Sequence, residues 1–169
     1  MRKINSVKKY LIFILLISVI IFYQSSPISN SVVIRGVSPD FLLVAISLAA
    51  FILGPIPGQI IGFIIGLVID LISGGLLGIS AFTFSIIGYG VGAVGQKVYG
   101  NNILITITIL FVATLVKASI LSMLAAIFLK PGYFGYFSQG KIFLEAVLNS
   151  LIAPILFILI TKIEGRVKS

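Results

Sequence analysis

The 169-residue sequence contains no cysteine, no histidine and no tryptophan, and its acids number four: Asp40, Asp70, Glu145 and Glu164. Without Cys or His there can be no disulfide, thiolate zinc site, cysteine nucleophile or histidine-based triad. Four scattered carboxylates are too few to build an oxygen cage around a hard cation, so no cofactor or metal is expected. Charge is scarce altogether. Charged residues make up 9% of the chain and hydrophobic ones 59%, and the mean hydropathy is +1.25. A water-soluble fold needs a charged surface that this composition cannot supply, so most of the chain must face lipid or other apolar helices. The net charge of +8 does not point to nucleic acid, because the basic residues bracket apolar runs instead of clustering on a polar domain.

What the sequence has in abundance is long apolar segments. Six runs, near Tyr10–Tyr23, Pro39–Leu53, Pro57–Ser73, Leu76–Gly95, Ile103–Leu129 and Ile142–Thr161, are each bounded by Pro, Gly, Asn or charge. Lipid offers no partners for backbone N–H and C=O groups, so each run is expected to be a helix. The fold class is therefore all-α: one polytopic integral membrane domain over residues 1–169 with six transmembrane helices. A straight span needs about 20 residues. The second and third runs fall short, which implies tilt, a thinner bilayer or shielding by neighbours.

Lys and Arg set the orientation. An N-in/C-in arrangement puts Arg2, Lys3, Lys8, Lys9, Lys97, Lys162, Arg166 and Lys168 on the cytoplasmic side, against Arg35, Lys130 and Lys141 outside. The first run follows a basic segment but has no small-residue cleavage site after it, so it reads as an uncleaved first span of a multi-pass membrane protein. The longest polar connections, Gln24–Ser38 and Lys130–Lys141, both lie outside.

The third run carries Gly58, Gly62, Gly66, Asp70 and Gly74 at four-residue intervals. On a helix this is a stripe without side-chain bulk that lets another backbone approach closely, whether for ordinary packing or for a partner. Asp70 ends the stripe near the outer end of its span, where partial hydration would lower the cost of an ionisable group. Gly88 and Gly92 form a second small-residue pair one turn apart. Lys117 falls mid-span in the fifth run, and Glu145 lies near the outer end of the sixth. Intramembrane charges usually find partners, so Lys117 is expected to pair, with Asp70 or Glu145 as candidates. The depths work against all three meeting: Lys117 is about 18 Å of helix below Leu129, and Glu145 about 6 Å below Lys141. Asn149 is expected to hydrogen-bond between helices, and Pro154 to free a carbonyl nearby. The outer loop concentrates Tyr133, Phe134, Tyr136 and Phe137, either as an interfacial belt or as a docking surface for an extracytoplasmic partner.

Two pattern matches fail on context. Gly90-Val91-Gly92-Ala93-Val94-Gly95 fits a dinucleotide-binding glycine pattern but lies inside an apolar span with no strand before it. Ile87-Gly88-Tyr89-Gly90 echoes a potassium filter but continues a helix-length run.

Pro39-Asp40, Gly54-Pro55, Gly58, Gly62-Phe63, Gly66-Leu67, Asp70-Leu71, Gly78 and Gly88-Tyr89 follow in that order. Asn149, Ala153-Pro154 and Phe157 then precede a basic C-terminal segment. Together these resemble the MreD family of bacterial rod shape-determining membrane proteins, from about Pro39 onward. Lys117 departs from the pattern, where an acid or a neutral residue is expected. The resemblance implies a non-enzymatic component of the elongation machinery, a multi-pass protein of the bacterial cytoplasmic membrane. Its partners would be MreC and, through it, the actin-like MreB and the RodA–penicillin-binding-protein synthase that builds the lateral wall. A homo-oligomer is left open, and membrane lipid is the solvent of the domain. The family fold is similar to the substrate-binding subunits of energy-coupling-factor vitamin transporters, and such a subunit is the alternative reading. Against it, the first span is bulky throughout (Leu11 to Leu16), where a transporter subunit would present a small-residue stripe to its coupling protein.

Overall fold

A computed structural model describes residues 13, 15, 17–22, 33, 36–74, 76–97, 103–128 and 140–167. The described chain is helical throughout its ordered elements. A first helical stretch, α1, covers 13, 15 and 17–22. It is followed by α2 (Phe41–Leu53), α3 (Pro55–Ser73), α4 (Ile79–Lys97), α5 (Ile103–Phe128) and α6 (Lys141–Val167). Among the described residues, α3, α4, α5 and α6 are long and apolar enough to cross a membrane. Of the six spans expected from the sequence, these four reach spanning length among the described residues, α1 is described only in part, and α2 stops at 13 residues.

The shortness of α2 has a packing explanation. At 1.5 Å per residue it is about 20 Å long, well under the ~30 Å of a hydrocarbon core. Yet Leu42 through Ala50 are all buried, nine consecutive residues with no lipid-facing side. It packs against α3, α4, α5 and α6, and Phe13 and Ile17 of α1 join the same core. Ala45, Ser47, Ala49 and Ala50 keep it thin enough to be surrounded. A helix enclosed on every side does not need to match the bilayer. Its ends are tied to α6: Asp40 N–H donates to Asn149 Oδ1 at 2.7 Å, and Phe51 meets Phe157 edge-to-face with ring centroids 6.2 Å apart.

Gly54 joins α2 to α3 as a single residue at φ 99°. Its N–H closes α2 on Ala50 O at 2.8 Å, and its carbonyl accepts from Gly58 N–H at 3.0 Å to open α3. Pro55 follows in the first turn, where its missing N–H costs nothing. α3 and α4 then form an antiparallel hairpin, as do α5 and α6, and α2 lies between the two hairpins.

Candidate functional site

The glycine stripe of α3 faces α4 at backbone distance. A Cβ added to Gly58 would stand 2.6 Å from Gly88 O and 2.5 Å from Ala50 Cβ, one at Gly62 would collide with the Phe84 carbonyl oxygen, and one at Gly66 would meet the Ala81 backbone. From the other side, Gly88 has no room for a Cβ against the Gly58 carbonyl, and Gly92 would meet Pro55 Cα at 2.6 Å. Gly58, Gly62, Gly66, Gly88 and Gly92 are thus one internal seam shared by α2, α3 and α4. They are used up inside this chain and do not form an open face.

Asp70 continues the same line and is only 4% exposed, so water is not what accommodates its charge. Oδ2 accepts from Gly78 N–H at 2.8 Å and Ala81 N–H at 3.2 Å, and Oδ1 accepts from Ser80 N–H at 3.0 Å. These are donors that the first turn of α4 cannot satisfy internally. A carboxylate at the positive end of a helix is favourable both as hydrogen-bond acceptor and as charge. Asp70 therefore caps α4 across the turn and takes no part in the Lys117 pair, a correction to the expectation that it is one of two candidate partners.

Lys117 instead sits between two other carboxylates. Its Nζ is 2.7 Å from Asp40 Oδ2 and 2.8 Å from Glu145 Oε1, and each side chain is about one-seventh exposed, at 13–16%. Asp40 divides its work: Oδ1 accepts from Leu43 N–H at 2.9 Å as the N-cap of α2, while Oδ2 holds Lys117. Asn149, fully buried, accepts from Asp40 N–H through Oδ1 and donates through Nδ2 to Thr114 Oγ1 at 3.1 Å. Thr114 in turn donates to Leu110 O at 2.8 Å. The result is a continuous polar knot of Asp40, Thr114, Lys117, Glu145 and Asn149 that joins the start of α2 to the middle of α5 and the first half of α6.

The sequence reading found Lys117, Glu145 and Asn149 but missed Asp40 and Thr114 as their partners. Asp40 did carry a signal. An Asp just before an apolar run, preceded by Pro, is a helix-start signature, and it places a carboxylate at the mouth of the central helix. Of the two candidate partners expected for Lys117, Glu145 is the one it meets, and the difference in depth between them is bridged by an offset between α5 and α6. Lys117 is 11 residues from the end of α5 and Glu145 four residues into α6. α5 therefore overhangs the start of α6 by up to about 10 Å, with the lysine stem covering part of the difference. Tyr133, Phe134, Tyr136 and Phe137 lie outside the described residues.

A family model for the rod shape-determining protein MreD matches residues 4–163. The chain belongs to the MreD family. Neither curated proteins nor solved structures yield a match. The family assignment gives the transporter alternative no support. Membership does imply a role in rod shape determination, within a family of shape-determining proteins that is not a known enzyme family. The four long apolar helices fit membrane residence.

Proposed function

We propose that this MreD-family chain is a non-enzymatic scaffold and regulator of the elongation machinery in the bacterial plasma membrane. It binds MreC and, through MreC, communicates with MreB and the RodA–penicillin-binding-protein synthase. In this reading the domain crosses the membrane six times with both termini inside, α2 being the short, enclosed crossing, and its fold is of the kind the resemblance likens to transporter substrate-binding subunits. The observation that carries the proposal is the family match across 160 of the 169 residues, positions 4 to 163. The geometry supports it as well. Asp40, Asp70, Lys117 and Glu145 are each engaged in ties between elements, a use of charge that fixes shape.

The test is affinity purification from the native bacterium in mild detergent, followed by mass spectrometry of the co-purifying proteins. MreC and wall-synthesis enzymes are expected. Recovery of a coupling protein with paired ATPases, and no MreC, would overturn the proposal.

A further inference from the structure

One glycine of α4 does not belong to the seam. Gly88 and Gly92 are pressed against α3, but a Cβ built on Gly90 meets nothing within 4 Å. A glycine inside a helix costs about 1 kcal/mol relative to alanine, and here no neighbouring backbone requires it. Its missing side chain instead forms the floor of a groove of about 370 Å³ between α4 and α5, lined by Ile86, Gly90, Val94, Thr108, Val112 and Val116 among others. The lining is apolar in practice as well as in composition, because the Thr108 hydroxyl donates to Leu104 O at 2.9 Å within its own helix.

We propose that this groove holds one acyl chain of an anionic phospholipid whose headgroup is met by Lys97. Two observations favour a lipid over a protein helix. The groove runs from Ile86 to Val94 on α4 and from Val116 to Thr108 on α5, about 12 Å along each helix. That is close to one leaflet of a ~30 Å core, whereas a membrane-spanning partner helix would need a surface through both. The second observation is charge. Lys97 lies in the last turn of α4, seven residues after Gly90 and so on the same helix face. It is exposed and has no ion-pair partner among the described residues. An ammonium at the groove mouth meets a phosphate as a point charge. In the proposed orientation this is the cytoplasmic leaflet.

Native mass spectrometry of the full chain tests this, with release from detergent in the presence of palmitoyl-oleoyl phosphatidylglycerol or phosphatidylcholine. One retained phosphatidylglycerol is expected, bound in preference to phosphatidylcholine. Gly90→Leu should fill the groove and abolish that retained lipid without lowering the melting temperature of the detergent-solubilised protein, since the added side chain enters open space and replaces a glycine the helix does not require. Val112→Phe, from the α5 side, should do the same and serves if Gly90→Leu fails to fold. Lys97→Ala should keep a lipid but lower the preference for phosphatidylglycerol about fivefold. Folded Gly90→Leu and Val112→Phe proteins that retain the lipid unchanged would overturn the proposal. So would a wild-type protein with no preference between the two lipids, or a Gly90→Leu protein that keeps its lipid and loses a co-purifying protein.

Discussion

Lys117 is a single cation shared by two carboxylates, with Asp40 and Glu145 both within 2.8 Å of its Nζ. Removing the cation leaves two negative charges facing one another in a largely desolvated place. Lys117→Met is therefore expected to destabilise the protein by about 3–5 kcal/mol, seen as a lower melting temperature in detergent. Glu145→Gln, which leaves the Asp40 pair intact, should cost less. The triple variant Asp40→Asn, Lys117→Met, Glu145→Gln removes every charge of the trio and retains an N-cap at position 40. It should recover most of the loss, because buried pairs are often replaceable by neutral residues. If the triple variant is no more stable than Lys117→Met alone, the ion pairs contribute more than mutual neutralisation. The participants at 117, 145 and 149 were legible as polar residues in apolar runs. The partner at 40 was not, because 77 residues separate it from Lys117 and relative helix depth is a tertiary quantity.

At the scale of elements, the α3–α4 hairpin rests on contacts between backbones. Four-residue glycine spacing showed in the sequence that some helix would approach closely, but not which one. The turn between the two helices is only a few residues long, and α4 is the neighbour that closes the seam. Gly62→Ala is expected to cost about 1–3 kcal/mol through overpacking against the Phe84 carbonyl, and Gly62→Leu or Gly66→Leu more, read as lost thermal stability and folded yield. Gly90→Leu, on the same hairpin but off the seam, is the matched control. Asp70→Asn keeps one acceptor oxygen but turns an amide against N–H donors, at a cost of about 1–2 kcal/mol. Hydrogen exchange should then accelerate at the amides of 78–81, with no such change in Glu145→Gln. Equal exchange in both variants would remove Asp70 from its capping role. The cap was hidden in the sequence because its donors come from Gly78, Ser80 and Ala81, on the far side of a turn whose path the residues alone do not fix.

For the molecule as a whole, hydropathy and the distribution of basic residues were enough to read a helical membrane domain. They could not reveal that one helix would be sheathed by the rest. The absence of native cysteine makes orientation directly measurable with single introduced cysteines. Ser38→Cys, before α2, should react with a membrane-impermeant maleimide on intact spheroplasts, and Gln96→Cys, at the end of α4, only after permeabilisation. The reverse pattern would invert the proposed topology. The enclosed position of α2 has a further consequence for biogenesis. α2 leaves the ribosome before α5 and α6 exist, yet the groups that hold its N-cap Asp40 (Lys117 and Asn149) belong to those last two helices. At 13 residues it is also a poor substrate for stable lateral release from a translocon. The early helices must therefore wait in a provisional arrangement until the final hairpin is inserted, and a chain interrupted before α5 would present a carboxylate without its cation and a short, unsheathed helix to membrane quality-control proteases.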